Sequence, residues 1–426
     1  MRTILFHVPT EIFGWPLFGW GIILAIWGMV CAVTLLWTVK RQGWNRETLS
    51  YVPVMLLVAA VIGLVMPRLQ QSLDGLPVRG YGVMVLAGIV AGIALAARRA
   101  AQRGIDPEHI YSLGFWVIAC GIIGARAYYV VLKWDEFARP TIQETILAIL
   151  NIPEGGLVVY GSLFGAAAAF LFYVRRQHLP LLTLADIVAP SLLIGLALGR
   201  VGCFLNGCCF GDVCDPSSLS VQFPFQSPPY RRQVAEGRIY LHGIKLAPDA
   251  ANRPMIAAVE PGSLAEAQGL RPGELVKQVQ GQPVDSVEQA FHILVDKLGT
   301  DTEVSILTAG ASEPKHWTLS LAREKSLPMY PAQLYATFGA LLVALLLLAY
   351  EPFRRRDGEV AALMLMVYPV LRFAEEMLRR DEPTVGGLKI AQWISLALLL
   401  AGIALMAGLR RTEPRTNAGN FGTMAG

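Results

Sequence analysis

Six ionisable side chains interrupt stretches that are otherwise apolar. They are Arg126 in IIGARAYYVV, Asp186 in LADIVAP, Arg200 in LALGRVGCFLNG, and Arg372, Glu375 and Glu376 in YPVLRFAEEMLRR. Charge within an apolar span is costly, so such groups face a bundle interior and pair with one another or with a ligand. Arg372 and Glu376 are four residues apart, one helical turn, and can pair. Guanidinium groups bind phosphate through paired hydrogen bonds and stay charged when partly desolvated. Phosphate is the anion a membrane holds in quantity. Arg126, Arg200 and the Arg372–Glu376 pair therefore point to a lipid phosphate. For the pair, a purely structural salt bridge is the competing account. Asp186 opens its span and reads first as a helix cap.

The densest segment is GRVGCFLNGCCFG. It combines Arg200 and Asn206 with Gly199, Gly202, Gly207 and Gly211. Glycines there allow tight turns and close approach of a ligand. A second segment, YPAQLYA, brings Tyr330, Gln333 and Tyr335 to the start of a later span. Cys203, Cys208, Cys209 and Cys214 crowd the same region. Their spacings are not those of a standard zinc site, so no metal is expected. A disulfide joining Cys208 or Cys209 to Cys214 fits an oxidising compartment; free packed thiols are the other option.

Long apolar elements must position these groups. The chain has 426 residues, 54% hydrophobic and 16% charged, against about 25% charged in soluble proteins. Stretches of about 17–25 apolar residues can cross roughly 30 Å of hydrocarbon. Nine are expected, near 17–39, 51–68, 81–98, 110–132, 157–174, 183–203, 330–350, 359–377 and 389–408. Lys40, Arg41, Arg98, Arg99, Arg103, Arg175, Arg176 and Arg354 to Arg356 fall in alternate connections, which places those in the cytoplasm. The N-terminus and the long insertion after the sixth span are then periplasmic, and the C-terminus is cytoplasmic. The charge pattern lacks the basic, aromatic-rich face of a nucleic-acid binder.

The insertion has its own pattern. RPMIAAVEPGSLAEAQGLRPGELVKQVQGQPVDSVEQAFHIL reads as short strands, tight turns and a helix with Ser286 as N-cap. It resembles a PDZ domain of bacterial envelope proteases, a type that binds a peptide as an added strand. A spacer without a ligand is the alternative.

In order and spacing, the membrane segments over about residues 76–408 resemble the bacterial prolipoprotein diacylglyceryl transferase family. VRGYGVMV places Tyr81 at that family's conserved tyrosine. GARAYYV carries over Arg126, and GGLVVYGSLFG resembles the glycine-rich span around Tyr160. GRVGCFLNG resembles the family signature and carries over Arg200, Gly202, Asn206 and Gly207, with Gly211 just after. YPAQLY carries Gln333 and Tyr335. LRFAEEMLR carries Arg372, Glu376 and Arg379, and IAQWIS carries Gln392.

The resemblance implies an all-α polytopic fold with seven core spans and two N-terminal additions. The expected segments are 1–75 for the additions, 76–235 and 324–410 for the core, 236–323 for the PDZ-like insertion and 411–426 for a cytoplasmic tail. It also implies transfer of diacylglyceryl from phosphatidylglycerol to the lipobox thiol of prolipoprotein signal peptides, with no cofactor. Tyr160, Arg200, Arg372 and Glu376 would be catalytic. Arg200 would also bind substrate, together with Tyr81, Arg126, Gly202, Asn206, Gly207, Gly211, Gln333 and Tyr335.

Three positions depart from the family. Tyr160 stands where the family often has His, Cys203 where it usually has Asn, and Cys208 where it usually has Glu. A tyrosine with a pKa of about 10 is a poor base at neutral pH unless a cation lowers that value. Either Arg126 or Arg200 does so, or Tyr160 only lines the site and Glu376 or the departing phosphate takes the proton. These departures define the second functional option, a catalytically divergent membrane adaptor that uses its PDZ-like domain to bind peptides.

Overall fold

The computed structural model describes residues 4–43, 52, 55–56, 58–69, 75–151, 155–216, 219–297, 303–318, 325–379 and 384–411. Eight long helices dominate: α1 (Ile22–Gln42), α2 (Gly80–Gln102), α3 (Pro107–Leu132), α4 (Val159–Arg176), α5 (Leu181–Asn206), α6 (Ala332–Tyr350), α7 (Glu359–Met377) and α8 (Ile390–Arg410). Among the described residues, six are long and apolar enough to cross a membrane, against nine expected; α4 and α7 are the other two. Arg175 and Arg176 on α4, and Arg372, Glu375 and Glu376 on α7, reduce their apolar character. The expected span 51–68 includes residues outside the described set, as does nearly all of the expected 411–426 tail. The chain is a multi-pass membrane protein.

Two compact units divide the chain, Met1–Val83 and Met84–Gly426. In the first, strand Ile4–Val8 pairs antiparallel with Leu76–Arg79. Tyr81 belongs to this unit, at the second position of α2.

In the second unit, small residues let helices approach closely. A Cβ on Gly165 would lie 2.2 Å from the Cys120 carbonyl, and one on Gly161 2.3 Å from that of Gly124. Without a hydrophobic drive between helices in lipid, such close packing holds them together. Ala96, Ala97, Ala100, Leu113, Val174, Leu184 and Ile187 form one core. Ala189, Leu193, Val343, Ala344, Leu347 and Val360 form another, between α5, α6 and α7. Leu86, Phe115, Phe164, Leu342 and Leu400 stay exposed, as a lipid-facing surface requires.

Asp186 does cap a helix, but not its own. Its carboxylate accepts 2.8 Å hydrogen bonds from the backbone N–H groups of Gly358 and Ala361 at the start of α7. Nearby, Glu351 accepts from Arg99 and Arg103. This charged end of the bundle is opposite the insertion.

The insertion, between α5 and α6, is an α+β unit. Its four-stranded antiparallel sheet runs in the order Lys315–Thr318, Glu303–Thr308, Val276–Val279, Gln282–Pro283. A separate pair joins Ile244–Pro248 to Pro254–Val259. Ser286 caps helix Val287–His292, accepting from the Gln289 N–H. Ile244, Ile256, Val279, Leu294 and Ile306 fill a core that also buries Tyr230 and Val234. The packed unit thus reaches back to helix Pro228–Ala235.

Candidate active site

α5 ends at Gly207, whose left-handed φ of 76° turns the chain while its N–H caps the Cys203 and Phe204 carbonyls. This is the usual geometry of a glycine closing a helix. The turn delivers the segment through Gly211 to two partners. The Gly211 N–H donates to the Tyr330 carbonyl at 3.0 Å, and the Asp212 N–H to the Leu378 carbonyl at 2.9 Å. A Cβ on Gly211 would sit 2.8 Å from Tyr330, so only glycine permits this approach. Gln333 is fully buried, and its Nε2 donates to the Cys208 carbonyl at 2.7 Å. GRVGCFLNG, YPAQLY and LRFAEEMLR, far apart in sequence, are thereby fastened into one site.

Four cations and two carboxylates converge there. Arg372 Nη2 is 2.6 Å from Glu376 Oε2, and its Nη1 is 3.9 Å from Glu375. Arg379 and Lys389 approach the same Glu376 at 3.9 and 4.0 Å. Lys389 Nζ also donates to the carbonyls of Glu376 and Arg379. Arg200 lies beside the Tyr368 hydroxyl, one helical turn before Arg372, and beside Glu375, Cys203 and Cys209. The surplus is cationic, so the site suits an anion. Glu376 is completely buried and engaged by cations on several sides, which equips it to aim Arg372.

Cys203, Cys208 and Cys209 also meet here, with their Sγ atoms within 4.8 Å of one another. Asn206 lies beside the Cys208 thiol. All six cysteines are free, so of the two options left open the thiols, and not a disulfide to Cys214, are what the structure holds. The turn at Gly207 folds Cys208 and Cys209 back onto Cys203. Cys214 instead follows Val213, which bridges to Met329. Gly202 is buried on α5. The Tyr335 hydroxyl donates to the Leu219 carbonyl at 3.3 Å.

Arg126 is placed differently. Its Nε donates to Ile149 O at 2.8 Å, its Nη2 to Ala148 O and Asn151 O at 2.9 and 3.0 Å, and its Nη1 to the Gly155 and Gly156 carbonyls. All five N–H groups are spent on backbone. The guanidinium clamps the segment that leads into α4 and Tyr160, where a free fork for phosphate was expected. An Arg126→Lys substitution keeps the charge but loses the fork. The expected outcome is cleavage of segment 148–156 about tenfold faster or more in limited proteolysis, because local opening becomes easier.

Sequence reasoning missed Lys389 and Tyr368. Lys389 sits at the start of the last span, ten residues after Arg379 in the same connection, and nothing in its spacing pairs it with Glu376. Tyr368 lies at a spacing of four from Arg372.

Fold and site define a polytopic membrane protein with a cationic, thiol-bearing centre at the end of its bundle that carries the insertion. The chain belongs to the prolipoprotein diacylglyceryl transferase family, whose model matches residues 70–408. Its relatives include the phosphatidylglycerol–prolipoprotein diacylglyceryl transferase of Rhodopirellula baltica, 30% identical over 100% of this chain and 94% of that protein. The transferase of the same name from Gloeobacter violaceus is 28% identical over 82% of this chain and 94% of its own length. That from Thermosynechococcus vestitus is 35% identical over 38% of this chain and 59% of its own.

Proposed function

We infer that the chain transfers the diacylglyceryl group of phosphatidylglycerol to the lipobox cysteine thiol of prolipoproteins, the first step of bacterial lipoprotein maturation. The observation that carries it is the joining of Arg200, Arg372 and the buried Glu376 in one cluster, on segments that the family model covers. Arg200 and Arg372 hold the lipid phosphate. The substrate thiolate attacks the glycerol carbon, a C–S bond forms, and the C–O bond breaks with its electron pair leaving on phosphate. The guanidinium groups neutralise the charge that builds on that oxygen. Holding both partners together supplies further rate by orientation. Glu376 and Lys389 position Arg372 and the end of α7, and Arg126 fixes the approach to Tyr160. Tyr160 lines the lipid side, and Asn206, Gly202, Gly207, Gly211, Gln333 and Tyr335 shape the site.

The basic connections support a periplasmic insertion, a periplasmic N-terminus and a cytoplasmic C-terminus in the inner membrane. Nine spans, seven of them the family core, remain the topology we favour. The insertion acts as a PDZ-like recruiter. Among the described residues, the strand Ile244–Pro248 pairs with Pro254–Val259 and with no other strand, and beyond Ile244, which bridges to Leu241, it offers an edge for a prolipoprotein peptide to extend. The connection that enters the insertion, the neck between Gly211 and helix Pro228–Ala235, ties this unit to the site: Arg238 pairs with Asp212 at 3.1 Å, directly after Gly211. Excising residues 226–323 and bridging the neck with a short linker is expected to lower prolipoprotein conversion about tenfold or more at limiting substrate, through lost effective concentration. Quantitative immunoblotting of unmodified precursor reads this, and unchanged turnover removes the recruiter role.

Complementation of a transferase-depleted bacterium tests the function itself. The wild-type chain restores growth and lipoprotein modification, and Arg200→Ala does not. Failure of a stably inserted wild-type chain favours the membrane adaptor.

A further inference from the structure

The thiols of Cys203, Cys208 and Cys209 are not absorbed by the chemistry above. Three elements of the local fold bring them together. Cys203 lies in the last turn of α5. The Cys208 N–H donates to the Cys203 carbonyl at 3.1 Å. Cys209 adopts a left-handed φ of 60°, which a side chain rarely adopts. That conformation is held from both sides, by Gln333 on the Cys208 carbonyl and by Gly211 on Tyr330. Strain kept in place this way concentrates at functional sites. The three Sγ atoms lie within 4.8 Å of one another. In a tetrahedral zinc–thiolate centre, metal–sulfur bonds of about 2.3 Å place sulfurs about 3.8 Å apart. The cluster therefore closes on a metal with side-chain shifts of about 1 Å.

We propose that Cys203, Cys208 and Cys209 form a three-thiolate zinc site whose open fourth position takes the lipobox thiol of the substrate. Structural zinc sites carry four protein ligands, and sites that act on a substrate keep one position open. Cys214 lies outside the cluster, and among the described residues three thiols form the group with no fourth Cys, His, Asp or Glu joining them. Thiolates select zinc over magnesium or calcium. Three thiolates on a divalent ion leave a net negative charge, and Arg200 and Arg379 stand beside Cys209 to balance it. The proposal rests on the transferase function. It supplies what that function lacks at Tyr160, a means of generating thiolate at neutral pH. On coordination the substrate thiol gives its proton to solvent. The metal-bound sulfur then attacks the glycerol carbon, a C–S bond forms, and the C–O bond breaks with its electrons on phosphate. No atom changes oxidation state through an outside reagent. The neutral thioether product is a weak ligand and leaves.

The test uses the full-length chain purified in detergent from membranes. Elemental analysis is expected to find about one zinc per chain in the wild type and in Cys214→Ser. Cys203→Ser, Cys208→Ser and Cys209→Ser are each expected to lose it about tenfold or more, as ligand loss does. Cobalt exchanged into the wild type reports the ligand set by its sulfur-to-metal absorption, independent of whether any variant folds. Adding a lipobox peptide shifts that absorption, and the same peptide with serine at the lipobox position does not. Wild-type chain without zinc above background overturns the proposal, as does full zinc in the triple serine variant. Full transfer after complete removal of metal also overturns it while leaving the transferase function standing.

Discussion

Arg200→Lys lowers the rate of diacylglyceryl transfer by about a hundredfold to a thousandfold while the chain still inserts into membranes. The size is that of removing one preorganised donor from a developing oxyanion. Lysine keeps the positive charge, so a loss of this size separates geometry from charge. A planar fork binds two phosphate oxygens at once, and an ammonium group is a compact point charge on a flexible stem. The fork is already flanked in place, because Arg200 lies beside Tyr368 and Glu375. Initial rates with labelled phosphatidylglycerol and a lipobox peptide measure the effect. The expected signature is a fall in kcat with a smaller change in KM, because the interaction strengthens as the phosphate departs. A wild-type rate in Arg200→Lys would remove Arg200 from the chemistry.

Glu376→Ala acts on the frame of the same site. It leaves Arg372, Arg379 and Lys389 facing one another where a buried carboxylate stood. Breaking a buried pair by removing one partner costs about 3–5 kcal/mol, because the remaining charge is uncompensated. A clear drop in thermal stability in detergent is expected, together with loss of transfer. Glu376→Gln keeps a hydrogen-bond acceptor for Arg372 and loses less. Equal stability of wild type and Glu376→Ala would mean that the cluster does not hold α7 and the start of α8 together.

Much of the centre was legible in the sequence. Charges are rare in apolar spans, and the spacing of four between Arg372 and Glu376 implied their 2.6 Å pairing. The order of the motifs implied that distant segments share a site. Arg126 shows where such legibility ends. A sequence reveals a guanidinium in a span, but not that the carbonyls of Ala148, Ile149, Asn151, Gly155 and Gly156 will turn inward and consume it. The cysteines show a second limit. Spacings of five and one match no standard metal motif, and only the left-handed turn at Gly207 and the positive φ of Cys209 bring the thiols together. Lys389 reaches Glu376 because α8 packs along α7, a tertiary fact. The insertion was visible from its turns and caps, yet its core also takes Tyr230 from a helix with little apolar periodicity.

The most direct test of the account uses the purified chain in phosphatidylglycerol vesicles with a lipobox peptide. Mass spectrometry follows the peptide while released glycerol phosphate is assayed in the same sample. The account predicts one diacylglyceryl thioether formed for each glycerol phosphate released, with neither product from Arg200→Ala. Glycerol phosphate released without thioether, or no product from a folded wild-type chain, would contradict it.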